Sequence, residues 1–230
     1  MPLIVPILPL MDGTVTEPDP SRPGLEICWA ADHHALVVTY LQHGVEWVHF
    51  VDIDGMHAGR PVQSCLVTEL AVHKETIISV EGGLRTWQDA RMYLEQAVDL
   101  IYLGARDHWP PVFAGFGQPE VERRVLCEVI LPATVAEDPE LAVSVVRPFL
   151  HYQVVPVLTG PMSVTALVRA GNAVGVEFRR RLAVRVDREP DPADWRGALQ
   201  RCGGFVQAVM IDHRHLERLG IGAAFAALAE

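Results

Sequence analysis

Carboxylates and histidines gather at a few places in this chain. Asp52 and Asp54 stand two apart at the end of an apolar run, so on a regular strand both side chains project to one side. Such a pair can face a ligand, or it can cap the loop around Gly55. Asp107-His108 and Asp212-His213 repeat one dipeptide at the ends of two further apolar runs, with His215 near the second and Asp187 closing a third. Imidazole opposed to carboxylate suits an acid–base pair or a divalent metal site, and the same residues also decorate exposed loops. The candidate catalytic groups are therefore Asp52, Asp107, His108, Asp187, Asp212 and His213. His33-His34 and His57 fit no ligand spacing, so no metal set and no cofactor are assigned. Cys28, Cys65, Cys127 and Cys202 lie far apart without a Cys-x-x-Cys pair. That spacing gives neither a zinc cassette nor a dense disulfide framework, and buried, reduced thiols are expected.

The elements that must position these groups alternate along the whole chain. Short β-branched runs predict strands at 3–8, 47–53, 76–80, 100–103, 125–131, 153–158, 182–186 and 206–211. Amphipathic stretches between them predict helices at 32–43, 62–72, 86–96, 139–150, 163–181 and 192–202. Several strands are apolar on both faces, as at Val154-Val155, which suits parallel strands covered by helices. Eight strand–helix units in 230 residues match a compact (β/α)8 TIM barrel.

The chain also resembles itself. Ile78-Ser79-Val80-Glu81 followed by Trp87 returns about 106 positions later as Val184-Arg185-Val186-Asp187 followed by Trp195. That period is half the chain, so one barrel domain over 1–230 is expected, built from duplicated half-barrels of about 1–120 and 121–230.

Composition narrows the classes. Half the residues are hydrophobic and 21% are charged, enough for a core. A net charge of −10 lacks the basic footprint of a nucleic-acid binder. No apolar run approaches the length of a membrane span, and the opening residues lack a basic leader pattern, with Pro6 and Pro9 breaking any leader helix. A cytoplasmic location is expected, with no membrane partner.

Three segments carry a family likeness. Ile4-Val5-Pro6-Ile7 with Asp12-Gly13, then His49-Phe50-Val51-Asp52-Ile53-Asp54-Gly55, then Val80-Glu81-Gly82-Gly83-Leu84-Arg85 with Leu103-Gly104-Ala105 resemble the phosphoribosylformimino-aminoimidazole-carboxamide ribotide isomerase family of histidine biosynthesis. The likeness covers the first half of the chain. It implies ligands at the C-terminal ends of barrel strands and a phosphorylated small molecule as partner, with each half-barrel supplying one phosphate site. Gly82, Gly83, Arg85, Gly104 and Ala105 are the phosphate-binding positions it implies, with Arg106 as an alternative to Arg85. Asp52 then falls at the barrel mouth, and Asp54 and Thr159 are candidate substrate contacts.

Departures from the family pattern are equally definite. The family needs two aspartates, a general acid and a general base, at the ends of strands one and five. Pro9 stands at the first position, and the fifth strand ends apolar at Leu131-Pro132. Glu81 replaces a glycine, Asp187-Arg188-Glu189 replaces the glycines after strand seven, and Asp212 replaces the one after strand eight. The family's own isomerisation is therefore not expected. A different isomerase- or lyase-type reaction on a phosphorylated sugar or heterocycle precursor is. The alternative is a non-catalytic barrel that binds a ligand or a partner subunit; homo-oligomerisation stays open.

Overall fold

The computed structural model describes residues 2–18, 26–30, 32–71, 76–104, 123–151, 153–179, 181–187, 190–202 and 204–218. Among the described residues, ten strands, β1 to β10 in chain order, form one sheet in the order β10-β9-β8-β7-β6-β5-β4-β1-β2-β3, and β10 also pairs with β1. The eight strands from β1 and β4 to β10 make a closed, helix-covered (β/α)8 barrel; β2 and β3 are an antiparallel addition. The chain divides into two compact units, Pro6–Gln118 and Met1–Val5 with Pro119–Glu230.

The N-terminal unit contains β1 (Leu3–Met11, from Pro6 onward), β2 (Thr14–Pro18), β3 (Glu26–Ala30), α1 (His33–Gln42), β4 (Trp47–Asp52), α2 (Ile53–Ala58), α3 (Ser64–Leu70), β5 (Ile77–Glu81), α4 (Trp87–Glu95) and β6 (Leu100–Leu103). Every residue of β4 is buried, as expected of a parallel strand covered on both faces. Its polar members, His49 and Asp52, therefore need partners inside the protein. Helix starts are written in the side chains. The carboxylate of Asp32 accepts the amide of Ala35 at 2.8 Å, and Thr86 and Asp89 form a reciprocal capping box on α4.

The C-terminal unit holds β7 (Val125–Ile130), α5 (Leu141–Val146), β8 (Val155–Thr159), α6 (Val164–Phe178), β9 (Leu182–Val186), α7 (Pro192–Arg201), β10 (Val206–Asp212) and α8 (His213–Arg218). Helix α6 lies directly on β9 and β10. A Cβ on Gly171 would sit 2.8 Å from Val206, and one on Gly175 would sit 2.2 Å from Phe205. That side of β9, with Leu182 and Val184, is thus the outer face. Arg185 and Asp187 alternate onto the inner one.

Four local outcomes differ from the sequence reading. The β1–β2 hairpin was not expected, because Asp12-Gly13 was read only as a loop. Both residues have positive φ, 49° and 76°, and Met11 pairs with Thr14 across them, the geometry of a two-residue hairpin turn. Strand 47–53 stops at Asp52 because Ile53 begins α2. Helix 62–72 starts at Ser64, since the amides of Val62 and Gln63 are taken by the Asp52 carboxylate. Helix 139–150 yields to a 3-10 turn over Arg147–His151, where Pro148 lacks the amide a continuing α-helix needs. Of the cysteines, Cys127 is buried, Cys202 intermediate and Cys65 exposed. The expectation of buried thiols thus fails at Cys65, which α3 turns outward.

Candidate functional site

Inside the N-terminal unit, polar side chains gather on one face of two neighbouring strands, β4 and β5. Register pairs His49 with Ser79 and Val51 with Glu81, so His49, Ser79 and Glu81 share one face, with Trp47 at its start. They form a chain of contacts. The indole Nε1–H of Trp47 donates to Ser79 Oγ at 2.7 Å. Ser79 Oγ meets His49 Nδ1 at 2.8 Å, and His49 Nε2 meets Glu81 Oε2 at 3.3 Å. Indole is a donor only. Ser79 therefore accepts from Trp47, and the donor and acceptor roles at His49 Nδ1 and Nε2 follow the tautomer of the ring. The Tyr102 ring lies 5.1 Å from the imidazole and walls it. His49 and Ser79 are fully buried, whereas Glu81 retains 8% exposure at the C-terminal end of β5. A carboxylate placed there, oriented by an imidazole, is equipped to move a proton.

Asp52 is built differently. Its carboxylate accepts from the amides of Gly55 at 2.6 Å, Val62 at 2.8 Å and Gln63 at 2.9 Å, and from the Tyr93 hydroxyl at 3.3 Å. Burial, then the Asp52 charge, push the Tyr93 phenol far above its ordinary value, so it stays a donor. Asp52 thus caps α2 and ties down the loop to α3. Asp54 lies on α2 and accepts from the Asp12 amide at 2.8 Å and from Gln63 Nε2. The two aspartates do not share a strand face.

The glycine turn after β5 is pressed against that loop. A Cβ on Gly82 (φ +112°) would lie 2.3 Å from the Asp52 carbonyl oxygen, and one on Gly83 would lie 2.5 Å from the Arg60 carbonyl oxygen. Glycine is needed here for close backbone approach. The Arg85 guanidinium lies over Gly59, and Arg85 itself is exposed. The start of α4 already carries a carboxylate: Asp89 accepts from the amides of Thr86 at 2.7 Å and Arg85 at 3.2 Å. Gly104 is buried at the end of β6. Ala105, Arg106, Asp107 and His108 lie outside the described residues.

In the C-terminal unit, register places Thr159, Arg185, Asp187 and Asp212 on one face. Thr159 donates its hydroxyl to Asp187, which also accepts from Arg185 Nε at 3.2 Å. Asp212 pairs with Arg214 through Nε at 2.7 Å and through Nη2, and accepts the Arg214 amide at 2.9 Å. Burial opposes the charge on Asp212, but the hydrogen bonds and charge of Arg214, with His213, outweigh it and hold the carboxyl below its ordinary value. His213 is fully buried. The start of α6 is again occupied by a carboxylate, Asp194, accepting from Val164 at 3.0 Å and Thr165 at 3.3 Å.

Sequence reasoning had not singled out His49, Ser79, Arg185 or Arg214 for a role, and it had noted Glu81 only as a replacement for a glycine. The available signal was period two: Trp47-x-His49 and Ser79-x-Glu81 place polar atoms at alternate positions of otherwise apolar strands. His33 and His34 meet Glu69, with one donor atom from each within 4.8 Å of the others. No helix among the described residues is long and apolar enough to cross a membrane.

Comparison with known proteins bears on the N-terminal half. Residues 3–109 match the family described as histidine biosynthesis protein. This half of the chain is homologous to that family. The curated relatives are phosphoribosyl imidazole-4-carboxamide isomerases. The one from Bacillus velezensis is 36% identical over 78 residues, covering 34% of this chain and 32% of the relative. The one from Desulforudis audaxviator is 30% identical over 111 residues, covering 48% and 42%. The one from Chromohalobacter salexigens is 28% identical over 114 residues, covering 49% and 46%. The chain thus spans a third to just under half the length of these relatives.

Proposed function

We propose that this barrel is an isomerase- or lyase-type enzyme that moves a proton on a small phosphorylated sugar or heterocycle precursor, with Glu81 as the proton-transferring group and His49 as the residue that orients it. The observation that carries this reading is the buried Ser79–His49–Glu81 chain ending at the C-terminal end of β5, where barrel enzymes place their chemistry. Glu81 lies in a segment where the resemblance implies glycine, and the two aspartates implied for the family's reaction have no counterparts at Pro9 and Leu131. A relocated acid–base group reconciles these features.

In the step assigned to it, Glu81 takes the proton from a carbon next to a carbonyl or imine; the C–H pair becomes the carbon–carbon double bond, and the displaced pair on oxygen or nitrogen takes a proton from water to give the enediol or enamine. Return of the proton to the former carbonyl carbon completes an isomerisation; loss of a leaving group from the adjacent carbon completes an elimination. Neither needs an outside oxidant. The phosphate is assigned to the corner of Gly82, Gly83 and Arg85, supported by the phosphoribosyl groups in the relatives' names and by the bidentate reach of an exposed arginine.

Thermal unfolding with phosphate, ribose 5-phosphate and phosphorylated heterocycle precursors tests the reading. A ligand that binds only the folded state at a hundredfold excess over Kd adds about 2.7 kcal/mol of stability. The shift should persist in Glu81→Gln and vanish in Arg85→Ala. A shift with no phosphorylated compound would favour the non-catalytic barrel.

A further inference from the structure

The geometry points to a divalent transition-metal site formed by His33, His34 and Glu69, separate from the Glu81 chain and independent of its reading. The two histidines open α1, directly after the Asp32 cap, whose carboxylate fixes the first turn through the Ala35 amide at 2.8 Å. Their ring centroids stand 5.0 Å apart with planes inclined by 39°, so the imidazoles are neighbours without being stacked flat. Glu69, in the last turn of α3 (Ser64–Leu70), supplies the third donor, and all three donor atoms fall within 4.8 Å of one another.

Donors bound at about 2.1 Å to a tetrahedral zinc stand roughly 3.4 Å apart. Closing from the observed spacing therefore asks only for side-chain rotation. His33 is half-buried, while His34 and Glu69 are exposed, which gives an ion a route in and leaves its remaining positions to water. Two imidazoles with one carboxylate select zinc, cobalt or nickel over magnesium and calcium, which prefer all-oxygen shells. A chain with a net charge of −10 also concentrates cations near its surface. Sequence spacing could not reveal this set, because Glu69 meets the histidines only once the chain is folded.

The test is titration of the chelator-stripped, full-length protein with zinc by calorimetry and with cobalt by visible absorption. One equivalent should bind with a dissociation constant in the micromolar range or below, and cobalt should give bands of a low-coordinate site. Millimolar magnesium should not compete. His34→Ala and Glu69→Gln, both at exposed positions, should each weaken binding at least tenfold, with far-ultraviolet circular dichroism unchanged. The double variant His33→Ala/His34→Ala should lose saturable binding. Undiminished uptake in the double variant, or no saturable uptake by the wild type at 100-micromolar zinc (about a hundred times the expected constant), would overturn the site.

Discussion

Asp52 and Glu81 are both carboxylates at strand ends, and their surroundings give them different work. Four donors converge on Asp52, and removing it would strand three amides and a phenol in a buried loop. Asp52→Ala should therefore cost about 3 kcal/mol of stability, read as a lowered urea midpoint. Glu81 meets His49 and keeps 8% exposure, and glutamine preserves its shape, so Glu81→Gln should spare folding and remove activity. General acid–base groups of this kind contribute about 100-fold to 10,000-fold in rate. Asp212 provides a pH signature. Its folded-state pKa is depressed, so its stabilising contribution is complete above the unfolded value, about 3.9, and disappears as pH falls through the folded one. In Arg214→Ala the guanidinium's hydrogen bonds and charge are lost while the backbone amide and His213 remain, so the depression of the Asp212 carboxyl shrinks. Urea midpoints should then fall less between neutral and acid pH than in the wild type, because less of the folded-state depression remains to be lost.

At the scale of elements, the alternation of strands and helices was legible because both-face burial writes near-continuous apolar runs. Strands 100–103 and 182–186 have the bounds their apolar runs indicate. The hairpin was not, although Asp12-Gly13 carried its signal, because it was read through a family loop instead of its own turn chemistry. Asp52-x-Asp54 misled for a related reason: strand alternation ends where a helix begins, and that boundary depends on which amides the Asp52 carboxylate captures. The polar chain on β4 and β5 was present as period two in the sequence, but only the register between the strands joins its halves. Packing of α6 on the sheet gives a further prediction. Gly175→Ala puts a methyl 2.2 Å from Phe205 Cβ, and such overpacking should cost about 1–3 kcal/mol. Denaturant unfolding of that variant against Gly197→Ala, whose added methyl meets only the Arg201 side chain at 3.7 Å, isolates the effect.

Across the whole molecule, homology and chemistry are unevenly distributed. The first half carries the family match and the Ser79–His49–Glu81 chain. The second half keeps the strand–helix rhythm but places acidic groups, Asp187 and Asp212, where the resemblance implies glycine. A protein that retained the barrel and exchanged its acid–base groups fits that distribution, since a fold supports many chemistries through the residues at its strand ends. The most direct measurement is proton exchange in deuterium oxide. Phosphorylated aldoses and aminoaldoses that raise the unfolding temperature are incubated with the protein, and loss of the proton next to the carbonyl is followed by nuclear magnetic resonance. The account expects wild-type protein to wash that proton out with at least one such compound, and Glu81→Gln to do so about 100-fold more slowly or not at all. Equal exchange by wild type and Glu81→Gln, or no exchange from any compound that binds, would contradict it.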